Sequence, residues 1–171
     1  YVMLGMQYFL EVCKDEALKK EIISALCKHA DYIISKIGPA DEGKKPITTA
    51  TRHWRGLNSS SLLEPIVRLY TITGEKKYFD SAVRAFDFYY QELEEYGFTT
   101  AGALDTYCID KESASPLLRA ALRLYDITGD RSYVEKAEKV AWYLSTWTMH
   151  FTVKYPEDSV LGKGGWDTFG L

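Results

Sequence analysis

The sequence predicts an all-α protein assembled from repeated antiparallel helical hairpins. Three observations carry that expectation: one segment recurs at a fixed offset, apolar residues step at three- and four-residue intervals, and glycine or proline stands where those runs end. The recurring segment is Leu69-Tyr70-Thr71-Ile72-Thr73-Gly74-Glu75-Lys76-Lys77-Tyr78. It returns as Leu124-Tyr125-Asp126-Ile127-Thr128-Gly129-Asp130-Arg131-Ser132-Tyr133, an offset of 129 − 74 = 55. Ser60, Leu62, Leu63, Arg68 and Ala82 match Ser115, Leu117, Leu118, Arg123 and Ala137 at the same spacing. A shared period of this length points to stacked supersecondary units, because one unit cannot bury its apolar face alone.

The first hairpin spans approximately residues 1–37. Met3 to Val12 supply its first helix, and Asp15 caps the second, where Leu18, Ile22, Leu26, Ala30, Ile33 and Ile37 form one stripe before Gly38-Pro39 stops it. The second hairpin spans 58–94. Asn58-Ser59-Ser60 fits a glycosylation sequon but stands at a helix start, where these residues cap. Ser61-x-x-Glu64 resembles a capping box, yet Pro65 follows and cannot donate to a helical carbonyl, so this helix should begin late or kink. Gly74 then closes it in the left-handed conformation, and Glu75 brings negative charge to the start of its partner. Tyr78, Ala82, Ala85 or Phe86, and Tyr89 mark the partner's buried face. The third hairpin, 112–147, repeats the plan with Gly129, Asp130 and the stripe Tyr133, Ala137, Val140 or Ala141, and Leu144; a C-terminal loop fills 148–171. The whole reads as one all-α domain or a fragment of one.

Composition narrows the function. A net charge of −3 offers no broad basic field, so nucleic acid is not an expected partner. Nor does any run approach the ~18 consecutive apolar residues of a bilayer span. Cys13, Cys27 and Cys108 are scattered and odd in number, which implies neither a disulfide framework nor a metal site. They read as buried thiols, and no cofactor or metal is expected. Nothing in the sequence fixes a compartment.

Chemistry is concentrated in the segments between hairpins. One carries His53-Trp54-Arg55-Gly56, the next Asp105-Thr106-Tyr107-Cys108-Ile109-Asp110, and the last Trp147, His150, Trp166 and Asp167, with glycines at 162, 164 and 165 suggesting a mobile or ligand-hugging loop. All lead into or out of equivalent helix ends, so they should gather at one end of the assembly, where loops on a rigid scaffold bind ligands.

The Leu-Tyr-x-Ile-Thr-Gly-[Glu/Asp]-x-x-Tyr hairpin in both copies, with Ala103-Leu104-Asp105-Thr106-Tyr107-Cys108-Ile109-Asp110-Lys111-Glu112-Ser113, resembles the six-hairpin glycosidase superfamily. Its (α/α)6 toroids include β-L-arabinofuranosidase-like proteins and unsaturated glucuronyl hydrolases. The resemblance implies a ring of six hairpins of which this chain supplies about half, the remainder being missing from it. It also implies a substrate pocket where loops feed the inner helices, with carboxylates there acting as acid, base or nucleophile. The paired cysteines and Glu-x-Cys of the zinc-bearing arabinofuranosidases do not occur here, so that metal and mechanism are not carried over.

On that footing Asp110, Asp105 and Glu112 are the candidate catalytic carboxylates, since a glycosidase needs two flanking the scissile bond. Helix capping is the competing role for Asp110 and Glu112. His53, Trp54, Arg55, Trp147, His150, Trp166 and Asp167 are the candidate substrate-binding residues, because aromatic faces cover sugar C–H groups and Arg donates to hydroxyls. Loop packing is the competing role for these. The expected function is a glycoside hydrolase acting on a carbohydrate; the alternative is a non-catalytic helical-repeat scaffold that binds glycan or protein.

Overall fold

The computed structural model describes residues 2–45, 62–97, 99 and 109–170. Within them the chain is all-α, with an isolated bridge between Ile37 and Lys45. Three helical pairs follow in order: α1 (Val2–Val12) with α2 (Glu16–Lys36), α3 (Leu63–Thr73) with α4 (Lys76–Tyr96), and α5 (Ala114–Thr128) with α6 (Ser132–Ser145). A single turn of helix, α7 (Val160–Lys163), lies in the C-terminal segment. α3 packs against α1, α5 and its own partner α4, so α1, α3 and α5 form an inner row and α2, α4 and α6 an outer one.

The repeated motif is a turn with a stated mechanism. Gly74 and Gly129 have φ of 71° and 68°, and each N–H closes the helix on the carbonyl of Tyr70 or Tyr125. The preceding threonine finishes the turn: Thr73 Oγ1 donates to Leu69 O at 2.8 Å and accepts from Glu75 N–H at 3.2 Å. Thr128 does the same, donating to Leu124 O at 2.7 Å and accepting from Asp130 N–H at 3.1 Å. An orphan carbonyl of the first helix and an orphan N–H at the start of the second are thereby satisfied within each turn. The first hairpin reaches the same reversal differently, with Asp15 Oδ1 accepting from Ala17 N–H and Leu18 N–H at 2.9 and 3.1 Å.

α3 begins at Leu63, which puts Pro65 in its first turn. No intrahelical carbonyl awaits its missing N–H there, so the helix continues without loss. Ser61 and Asn58-Ser59-Ser60 lie outside the described residues. The core runs between the rows: Leu63, Val67 and Leu69 of α3, Leu117, Ala120, Ala121 and Leu124 of α5, and Tyr78, Ala82 and Phe86 of α4 are all buried. Alanines at 114, 120 and 121 let α5 approach closely. On α4 the stripe continues through Tyr90 and Leu93 rather than Tyr89, because at 3.6 residues per turn the buried face drifts forward with each turn.

Outer helices are clamped to each other by repeated polar contacts. Tyr78 Oη donates to Asp31 Oδ1 at 3.0 Å, and Lys77 Nζ reaches the same carboxylate at 2.8 Å. One hairpin on, Lys136 meets Asp87 at 3.2 Å and Lys139 meets Glu94 at 2.7 Å. Burial pushes the Tyr78 phenol well up, and the Lys77 ammonium holds the Asp31 carboxyl below its usual range.

Candidate functional site

The turn into α5 is built around Asp110. Its N–H donates to Thr99 O at 2.9 Å, and its carbonyl accepts from the Thr99 hydroxyl in return. The same carbonyl accepts from Tyr143 Oη of α6 at 2.9 Å. Its carboxylate Oδ1 accepts from Glu112 N–H at 2.8 Å, a turn that carries the chain into the helix. Both polar groups of the Asp110 main chain are thus engaged, and the side chain is fixed from one end. Asp110 and Glu112 lie ahead of α5, whose first residue is Ala114. Asp105 and Cys108 fall outside the described residues, as do His53, Trp54 and Arg55.

Tyr143 links this turn to the first of the aromatic candidates. Its ring meets Trp147 edge to face, centroids 6.3 Å apart, and Trp147 remains exposed. Residues 37 positions apart, 147 − 110 = 37, are thereby joined through one side chain. His150 folds back on the end of α6, with Nε2 2.9 Å from Ser145 O. A carbonyl only accepts, so that nitrogen carries the proton.

Trp166 and Asp167 belong to a loop closed on itself. Gly170 N–H donates to Met149 O at 2.8 Å, Val153 N–H donates to Thr168 Oγ1 at 2.8 Å, and that hydroxyl donates to Phe151 O at 2.8 Å. Asp167 Oδ1 accepts from Thr152 Oγ1 at 2.7 Å and from Phe169 N–H at 2.9 Å. The Phe169 N–H, with the Thr152 hydroxyl, lowers the Asp167 carboxyl and keeps it ionised. Gly162 has a purpose internal to this loop: a Cβ there would stand 2.1 Å from Pro156 O, so only glycine fits. Trp166 is exposed.

A band of polar residues that no local motif marks crosses the inner helices. Gln7 Nε2 of α1 donates to Pro65 O at 2.8 Å, Arg68 pairs with Glu11 and stacks 4.4 Å over the Tyr8 ring, and buried Glu64 lies 3.4 Å from Arg119 of α5 and 3.9 Å from Arg68. Its signal was available, since Glu64 and Arg119 hold the same repeat position, 119 − 64 = 55, with opposite charge. These pairs tie three inner helices in one register.

An apolar cavity of about 360 Å³ lies elsewhere, between α2, α3 and α4, walled by Ile33, Ile37, Leu63, Ile66 and Phe88. It lacks the convergent polar groups of a sugar site. Among the described residues no three His, Cys, Asp or Glu side chains converge as metal ligands, and Cys13 and Cys27 are free. No helix among the described residues is long and apolar enough to cross a membrane.

The family model described as Beta-L-arabinofuranosidase, GH127 catalytic domain, matches residues 12–152, which include all of α2 to α6 and the turn at Asp110. No curated protein matches the chain.

Proposed function

The chain belongs to the β-L-arabinofuranosidase GH127 catalytic-domain family of glycoside hydrolases, and on that premise we propose that it cleaves a glycosidic bond by carboxylic acid and base chemistry where the loops enter its inner helices. The observation that carries the reading is the fixing of Asp110 at the threshold of α5, through Thr99, Tyr143 and Glu112. A group held this way loses little freedom on reaching the reactive geometry, which is the condition for acid–base work.

Asp110 is one member of the carboxyl pair that glycoside cleavage needs, and Asp105 supplies the other; Glu112, two residues from Asp110, is the alternative to it rather than its partner. Trp147 and Trp166 offer exposed aromatic faces to sugar C–H groups, with Asp167 and His150 donating or accepting at the hydroxyls. His53, Trp54 and Arg55 are the further residues we assign to sugar binding. The family's description makes a β-L-arabinofuranoside the first substrate class to try. The exposed flank of α5 fits a further hairpin of the same kind, as the remainder of a six-hairpin ring would provide.

The test is to measure turnover of the full-length protein on aryl β-L-arabinofuranosides, other aryl glycosides and plant-type oligosaccharides. Asp110→Asn and Asp105→Asn are assayed beside the wild type. A loss of ~10²-fold or more in kcat, with the fold kept, supports acid–base work. If both variants keep full turnover, the carboxylate assignment goes. If the wild type binds glycans and cleaves none, the chain is a binding scaffold instead.

A further inference from the structure

The hydrogen bond between Tyr143 and Asp110 has no counterpart in the preceding repeat. Tyr143 and Phe88 occupy the same position in successive outer helices, 143 − 88 = 55. α4 forms its 21 residues with a phenyl ring at that place, so a hydroxyl there is not a requirement of the hairpin. The α6 hydroxyl donates to Asp110 O at 2.9 Å, while its ring braces Trp147 at 6.3 Å. A candidate carboxylate and a candidate sugar platform, from separate segments, are held by one side chain that is itself half-buried.

We propose that Tyr143 is a positioning residue of this site, coupling the placement of Asp110 to that of Trp147; the proposal rests on the hydrolase reading above. Tyr143 exchanges no proton with substrate. Its hydroxyl shares the Asp110 carbonyl with Thr99 Oγ1, so two donors from separate segments restrain that peptide and the carboxylate projecting from it. Displacement of a catalytic group by about an ångström costs about 10²-fold in rate, which sets the scale of a positioning effect.

The experiment compares Tyr143→Phe, Thr99→Val and Phe88→Tyr in the full-length protein with the wild type and Asp110→Asn. Tyr143→Phe retains the ring and reproduces the residue α4 already carries, so it should melt close to the wild type. Its kcat should fall about tenfold or more while KM stays within about twofold, the split expected when an interaction serves the transition state alone. Thr99→Val should fall in the same direction, and Phe88→Tyr should leave turnover unchanged. If Tyr143→Phe keeps full kcat while Asp110→Asn is inactive, the positioning role is wrong and the hydrolase reading stands. If the wild type turns over no glycoside, the hydrolase reading fails by itself, and hydrogen exchange judges the coupling. Faster exchange of the Asp110 amide in Tyr143→Phe supports it; an unchanged rate overturns it.

Discussion

The α3–α4 and α5–α6 hairpins share a sequence motif and a turn, yet they live in different surroundings. α3 is covered on both flanks, and Val67 is 1% exposed; its repeat partner Leu122 on α5 is 45% exposed, 122 − 67 = 55. Glu64 is buried, whereas Arg119, its counterpart, leaves most of its side chain in water. In the outer row Phe86 is fully buried between Tyr90 and Tyr133, at 5.8 and 5.6 Å, while alanine at the equivalent position 141 is exposed. The glycine turn thus repeats with the sequence, but burial follows the neighbours.

The largest test of that contrast lies at the outer pair. Phe86→Ala should cost ~3–5 kcal/mol, since it empties a site packed by two rings. Ala141→Phe should cost less than about 1 kcal/mol, because an exposed helix position pays only a small propensity difference. Urea unfolding of both variants checks this, and comparable losses would mean that the two hairpins are equally enclosed in solution.

The turns should behave in the opposite way. Gly74→Val and Gly129→Val should each destabilise by ~1–3 kcal/mol, and by similar amounts, because both glycines hold positive φ and a Cβ at either meets no atom within 4 Å. Only backbone strain is then at issue. Unequal melting shifts would show that the tertiary setting reaches the turns.

The smallest effect separates a local carboxylate from a long-range one. Asp31 is held low first by Lys77 of the next hairpin, and Asp130 first by the N–H of Ser132 in its own turn. A depressed folded value means that each contributes stability that is full above the unfolded value of 3.8 and is lost as pH falls through the folded one. The difference in stability between wild type and Asp31→Asn should therefore shrink below pH 3.8. Added salt should shrink it at neutral pH as well, and should affect Asp130→Asn less, because screening acts on exposed ion pairs. Equal salt responses would remove the distinction.

Much of the fold was legible because its signals are local. Gly74, Gly129 and Asp15 stand at fixed places relative to apolar stripes, and no distant residue is needed to read them. The paired roles of Thr73 and Thr128 are not legible in the sequence, because threonine in a helix usually signals little and its value appears only in its two bonds. At the candidate site the sequence singled out Asp110 and Trp147 by residue type. It gave no hint of Tyr143, whose hydroxyl partner is 143 − 110 = 33 residues away. Trp166 and Asp167 were also singled out, but the bonds that close their loop join 149–153 to 167–170 by contacts no short motif encodes.

By itself, then, the sequence determined the helices, their turns, the repeat and the family to which the chain belongs, since these depend on φ preferences, capping and periodicity within a few residues. Tertiary structure decided which copy of each repeat position is buried, which charges pair across the inner helices, and which side chain holds Asp110 in place. Those depend on what packs alongside, and the same residue pattern meets different neighbours in each successive hairpin.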